Sequence, residues 1–495
     1  MKKIHFVKLS FLATAVAVSL SGCSAMHSTY ERPELAEYVF MHGSTQNLTL
    51  NEKTALEEGV SPKARDSVNA TQGSSASNAR VADRNEVGTL EPDFWVNLGD
   101  EHLKALIEEV LTQGGDYKTA VIKAQKALAQ ADLTATNLIP DLNADLGSGF
   151  SKDFAGGTSR KSANSTFKLS YELDLFGRLA AERKAQDYEA SASVNDAMVA
   201  RLSVAQETAT LYWQLVYTKD LLRLDEANLS NAKQTLKIMT SRYTTGKVAK
   251  LELLQAQRDV VEQESILASD KSTLKKTISA LNALRNAAPN ADIATIDTLL
   301  GVKLPVVSLE RGSELLRFRP DMRAAEERLK SALASKDVAK LNMYPQVSLS
   351  AGIAAGSTSE LYQFFKDPIG SIAGALSFPF INYYQNSLKI DLASLDYNSA
   401  EIKFISTYYL ALSEVSQAQS DLNLSQKMLA HDQDKLTLLT QTTEIYQSRY
   451  EAGQVALKDY LEAKANERLA QKAVVKDLKD ALDSTTVLIK AIGGI

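Results

Sequence analysis

Asp141-x-Asn143-x-Asp145 spaces oxygen ligands as the opening of a calcium loop would. Glycine, however, falls seventh in that run instead of sixth, and Lys152 holds the twelfth position, where a bidentate glutamate belongs. Leu142, Ala144 and Leu146 alternate with these polar residues and fit a strand better, so calcium is rejected. The histidines at 5, 27, 42, 102 and 431 lack zinc-like spacing, and the methionines form no cluster, so neither metal nor cofactor is implied. A Walker A loop, a GxGxxG fingerprint, an HExxH pair and a GxSxG elbow are all missing, and nothing calls for an enzyme. The carboxylates of the helical segments read as solvated faces, not as acid–base pairs. Among reactive residues that leaves Cys23, the sole cysteine, which by itself excludes an intramolecular disulfide.

Cys23 ends an export address. Lys2, Lys3 and Lys8 precede an apolar stretch from Leu9 to Leu20, which meets Ser21-Gly22-Cys23. A basic start, a short apolar core and small residues before a cut site describe a secretory signal over residues 1–22. Small residues before a lone cysteine also resemble the lipobox of bacterial lipoproteins. There the thiol takes a diacylglycerol and the freed amine is acylated, and several chains anchor stably. A small buried hydrophobe is the competing reading of a free cysteine. Ser24 in place of aspartate implies, in such signals, sorting to the outer membrane.

The chain has 495 residues, 44% of them hydrophobic and 23% charged, with a net charge of −5. This excludes wholesale disorder and argues against nucleic acid as a partner. Past the N-terminus no run of 18 apolar residues occurs, so no helix is expected to cross a bilayer; strands cross by a different rule. Residues 23–93 read as a lipidated N-terminal segment and a polar linker, rich in Ser, Thr, Asn and Ala from 42 to 88.

The rest is written twice. Asp116–Pro140 aligns without gaps to Asp321–Pro345, with Asp132/Asp337, Asn137/Asn342 and Pro140/Pro345 among the matches. Arg242-Tyr243-Thr244-Thr245-Gly246-Lys247-Val248 recurs as Arg449-Tyr450-Glu451-Ala452-Gly453-Gln454-Val455. The offsets, 205 and 207, are nearly equal, which points to a tandem duplication: a first repeat over 94–307 and a second over 308–495.

Each repeat begins with a helix ended by proline (Pro140, Pro345). Period-two alternation follows, placing strands at about 140–151 and 164–175 in one repeat and 345–356 and 369–380 in the other, with polar loops over 151–166 and 356–368. Two long helices close each repeat, Arg178–Ser241 with Leu251–Asn286, and Asn386–Gln447 with Leu457–Ile492. Met198, Leu202, Ala205, Ala209, Tyr212 and Val216 step by four and three as a coiled-coil seam does. Such helices exceed what a globular core needs.

Four strands with one apolar and one polar face cannot close a barrel alone, and an open sheet in lipid strands its backbone donors and acceptors. Ten residues per tilted strand is the length that crosses a bilayer. Phe150, Phe154, Phe167, Tyr171, Phe364, Phe365, Phe378, Phe380, Tyr383 and Tyr384 gather at the strand ends, as interfacial girdles do. The competing reading is a soluble hairpin pair on a helix bundle. Closure needs further copies of the chain; three would give twelve strands, although the sequence alone leaves the number open.

Several blocks resemble the TolC-like outer-membrane efflux family, in its lipoprotein branch of RND-type efflux outer-membrane factors. They are Tyr30-x-Arg32-Pro33, Phe94-Trp95-x-x-Leu98-Gly99-Asp100, Ser170-Tyr171-Glu172-Leu173-Asp174-Leu175-Phe176-Gly177-Arg178, Arg319-Pro320-Asp321, and the two Arg-Tyr-x-x-Gly-x-Val turns. The resemblance implies a mainly α fold with a membrane β-barrel: a homotrimer whose twelve-stranded barrel in outer-membrane lipid sits on a long coiled-coil α-barrel in the periplasm. It implies a passive exit duct, coupled through a periplasmic adaptor to an inner-membrane RND-type pump. It further implies that Arg242, Gly246, Arg449 and Gly453 form the adaptor-contacting tips. Asp459 and Glu462 would form acidic rings at a closed periplasmic gate, and Tyr450 would help latch it, with Glu252 at its partner's position. The basic residue of that latch, two places after the second glycine, is Val455 here. Two other functions fit parts of the pattern, the outer component of a type I protein secretion system and a structural coiled-coil lipoprotein.

Overall fold

The computed structural model describes residues 27–35, 95, 99–157, 159–302, 304, 316–357 and 369–494. The first repeat contains α1 (Glu101–Gln113), α2 (Gly115–Ala135), β1 (Asp141–Lys152), β2 (Ser159–Leu173), α3 (Arg178–Thr244) and α4 (Lys250–Leu284). The second contains α5 (Pro320–Leu341), β3 (Gln346–Ser357), β4 (Ile369–Ser377), α6 (Tyr383–Glu451) and α7 (Leu457–Ala491). At 67 and 69 residues, α3 and α6 each extend about 100 Å. α4 returns along α3 and α7 along α6, while α5 packs against both α3 and α6. Among the described residues no helix is long and apolar enough to cross a membrane.

The strands form one antiparallel sheet in the order β1-β2-β3-β4. Residues directly opposite in such a sheet share a face. The register therefore lines up Leu142, Leu169, Ala351 and Ile372 across all four strands, and one step on it lines up Asn143, Lys168, Gly352 and Ser371 on the other face. Among the described residues no element covers the apolar face at its edges, for Leu142 is 69% and Ile372 89% exposed. Phe150, Phe154, Tyr383 and Tyr384 are exposed as well. Phe364 and Phe365 lie outside the described residues.

Three details differ from the sequence expectations. The first polar loop is shorter than 151–166, because the hairpin stays paired out to Lys152 and Ser159. Backbone pairing needs no apolar alternation, so polar residues such as Ser162 and Asn164 continue the ladder unseen by pattern. Asp153 closes the turn, its backbone carbonyl accepting from the Gly157 N–H at 2.9 Å and its carboxylate from that of Ala155. At the other end, β4 stops at Ser377 although the alternation runs to Phe380. Pro379 has no N–H for a ladder and opens a short 3-10 turn instead. Finally, the coiled-coil seam widens at mid-helix, where Val204, Thr208, Trp213 and Leu215 are buried beside Ala205, Ala209, Tyr212 and Val216.

That widening marks the larger core, in which Trp95, Leu103 and Ile107 pack with the middle of α3 and the C-terminal half of α7. Polar anchors fix the connections around it. Asp100 caps α1 at the His102 and Leu103 N–H groups and accepts from the Tyr212 hydroxyl at 2.5 Å. Asp220, also buried, accepts from the Leu299 N–H at 2.8 Å and holds the segment after α4. A second core joins Leu316, Met322 and Leu329 to Phe404, Tyr408 and Leu488.

Beside that second core, Arg319 is buried and spends its guanidinium on three partners: the Ala491 carbonyl at 2.6 Å, Asp321 at 2.7 Å and Glu414 at 2.6 Å. Arg319→Ala leaves those acceptors without their donor. The expected cost is about 3 kcal/mol, read as a lowered denaturant midpoint, whereas Arg323→Ala on the exposed side of α5 should change it little.

Candidate gate at the helix tips

The two turns that end the hairpins are the same structure made twice. Lys247 N–H donates to the Arg242 carbonyl at 2.8 Å and Gly246 N–H to that of Tyr243 at 3.0 Å. Gln454 and Gly453 repeat both bonds to Arg449 and Tyr450 at the same distances. This is the Schellman pattern, which requires a left-handed residue after the helix. Gly246 (φ 68°) and Gly453 (φ 73°) supply it. A Cβ at either glycine would meet open space. Within one chain, then, the glycines serve the positive φ alone and not a close approach of helices.

Each return helix starts at an alanine, Ala249 or Ala456, with no side-chain acceptor of its own. In the second repeat Asp459 reaches back, its carboxylate accepting from the Ala456 N–H at 3.3 Å. That is half of a capping box, so Asp459 has a structural duty besides its charge. Glu462 stands three residues further on, on the same face of α7, and both are exposed.

Tyr450 is the point where the two tips meet. Its hydroxyl accepts from Arg242 Nη1 at 2.9 Å and faces the Met239 sulfur. The same guanidinium lies 5.5 Å over the Tyr450 ring, which stacks on Tyr460. Burial pushes the phenol up from its ordinary value; Arg242 opposes this and the nearby Glu252 charge adds to it. Glu252 is thus close to Tyr450 but is not its hydrogen-bond partner. The cation that meets Tyr450 is Arg242 of the other repeat, while position 455 carries a valine. Met239, Ala256 and Leu457 form a small apolar cluster behind this contact. Arg449 is exposed at its tip, and Cys23 lies outside the described residues.

The carboxylates of the long helices are not all solvated. Asp225, Glu467 and Asp477 are buried, and the α7 cations Lys464, Arg468, Lys472 and Lys476 recur every fourth residue along one face. Arg468 pairs with Asp259 of α4 at 3.0 Å, and Lys472 with Asp225 of α3 at 2.5 Å. The four-residue spacing was a visible signal; the identity of the facing acids, more than two hundred residues away, was not.

Two of the blocks that carried the resemblance join elements of the fold. Asp174 accepts from the Leu179 and Ala180 N–H groups at 3.1 and 2.8 Å, and Arg178 reaches back to Glu172 at 2.7 Å, fixing the elbow from β2 into α3. Tyr30 and Arg32 both meet Glu326 of α5, and Arg32 also lies over Phe404.

A family model described as outer membrane efflux protein matches residues 106–288 and 312–494. Toxin and drug export protein A of Aggregatibacter actinomycetemcomitans is 24% identical over 407 residues, covering 82% of this chain and 89% of that protein. The cation efflux system protein CusC of Escherichia coli K12 is 28% identical over 406 residues, covering 80% and 87%. Among solved structures, the open state of the MtrE outer membrane channel of Neisseria gonorrhoeae superposes with a TM-score of 0.72 at 23% identity, covering 94% of this chain and 97% of that one.

Tyr450→Phe should keep the ring between Arg242 and Tyr460 and lose only the hydroxyl bond. The expected loss is about 1 kcal/mol of local stability, seen as a several-fold drop in hydrogen-exchange protection at 242–250 and 449–460. Because the raised phenol stays protonated, the wild-type contact should not change between pH 6 and 9.

Proposed function

The chain belongs to the outer membrane efflux protein family and is an outer-membrane exit duct, and we propose that it works as a homotrimer coupled to a periplasmic adaptor and an inner-membrane RND-type pump. The observation that carries the trimer is the sheet: four strands, one face led by Leu142, Leu169 and Ile372 that is apolar over most of its length, and outer strands β1 and β4 each paired on one side only among the described residues. Three copies make a closed twelve-stranded wall with the Asn143–Lys168–Ser371 face toward water and the Leu142–Leu169–Ile372 face toward lipid. The long hairpins then reach into the periplasm, and the turns at Arg242, Gly246, Arg449 and Gly453 face the adaptor. Cys23 carries the lipid anchor. No enzymatic step is assigned to such a passage.

The cargo is drugs or other small molecules taken from the periplasm. Relatives named for toxin and drug export and for cation efflux support a duct whose selectivity lies in its pump. The word toxin in the first of those names favours, as a second reading, the outer component of a protein secretion system. Loss of secreted protein without drug sensitivity in a deletion strain would select it.

At the closed periplasmic end, symmetry brings three copies of Asp459 and Glu462 together. Their mutual repulsion attracts cations and discourages anions. In planar bilayers the purified protein should conduct, and Asp459→Ala with Glu462→Ala should raise conductance or weaken block by multivalent cations. Glu462→Ala alone separates charge from capping, since it spares the bond to Ala456. Unchanged conductance and block in the double variant would count against the ring, and absence of any conductance would count against the duct.

A further inference from the structure

Between the larger core and the tips, two charged contacts join the first hairpin to α7 among the described residues, and they differ in balance. Asp259 and Arg468 are a matched pair, 3.0 Å apart and both largely buried. Lys472, in contrast, faces two carboxylates, Asp225 of α3 at 2.5 Å and Asp270 of α4 at 3.7 Å. Asp225 is only 1% exposed. The charged groups facing it are Asp270 from α4 and Lys472 from α7. The Glu226–Lys271 pair, close by in sequence on α3 and α4, is exposed and balanced. When both carboxylates are ionised, the node therefore holds one surplus negative charge, which burial penalises at Asp225.

We propose that the Asp225–Asp270–Lys472 node is an acid-tightened clasp between the first hairpin and α7. One proton taken from solvent sits on Asp225 and is shared with the Asp270 carboxylate, leaving one negative charge against one ammonium. The neutralised node then holds α3, α4 and α7 together more firmly. A cavity lined by Asn228 of α3, Gln263 of α4, and Arg468 and Lys472 of α7 reaches the node at Lys472.

The sign follows from the direction in which the group is displaced. Burial first, and then the neighbouring Asp270 carboxylate, push Asp225 up to about 6 from 3.8, with Lys472 opposing. The folded protein accordingly binds a proton at a pH where the unfolded chain has released it. Stabilisation is absent well above pH 6, grows as pH falls through that value, and is complete only below the unfolded value of 3.8. This clasp stands on the packing of one chain and holds whether or not the duct reading does.

The test uses the full-length mature protein in detergent, with hydrogen exchange corrected for the intrinsic pH dependence of the amide rates. Protection around 222–230, 266–274 and 468–476 should rise about tenfold from pH 7.5 to pH 5.0, where the displacement of Asp225 permits up to about a hundredfold. Asp225→Asn should show the higher protection at both pH values. Should that variant fail to assemble, Asp270→Asn removes the same surplus charge and should likewise abolish the response. Asp259→Asn should keep it. Unchanged or lower wild-type protection at pH 5.0 would overturn the clasp, as would a full pH response in Asp225→Asn or its loss in Asp259→Asn.

Discussion

An unpaired backbone edge cannot be left in hydrocarbon. Each stranded N–H or C=O costs several kcal/mol there, and β1 and β4 each present such an edge along their length. The apolar face that Leu142, Leu169, Ala351 and Ile372 build in common register asks for lipid, while the edges ask for more strands. Satisfying both requires further copies, and the remaining features of the chain follow from delivering those four strands side by side. The duplication supplies two hairpins, and the elbow at Asp174 and Arg178 fixes where the first one turns into helix. α5 packs between α3 and α6, linking the two repeats so that β2 and β3 can pair.

The helices carry a different division of labour. Near their middle they are held by two apolar cores and by buried polar anchors such as Asp100–Tyr212 and Arg319, where removal of one partner is costly. Toward the tips the apolar support shrinks to the cluster around Met239 and Leu457, and charge pairs and the Arg242–Tyr450 contact take over. Contacts of that kind break and re-form at small cost in apolar burial, unlike those of the two cores.

Much of this was legible in the sequence, because periodicity and duplication are properties of the chain itself. The strand faces, the long helices and the two equivalent turns at Gly246 and Gly453 could be read from spacing alone. What could not be read depends on partners far apart in sequence. Arg242 reaches Tyr450 only because the second tip folds beside the first. Asp225 and Asp259 look like any solvated helix carboxylate until α7 brings Lys472 and Arg468 against them. The shorter loop after β1 escaped for a local reason, since a backbone ladder continues through Ser and Asn without any apolar signature.

Closure of the sheet by other copies is tested most directly with single cysteines placed along β1 and β4 on the polar face, combined pairwise and oxidised in outer-membrane preparations. The expected result is a ladder of covalent species that ends at three chains, formed by β1–β4 pairs and not by cysteines at β2–β3. A protein that stays monomeric under oxidation at every β1–β4 pair, with both edges reactive to a water-soluble thiol reagent, would contradict the account.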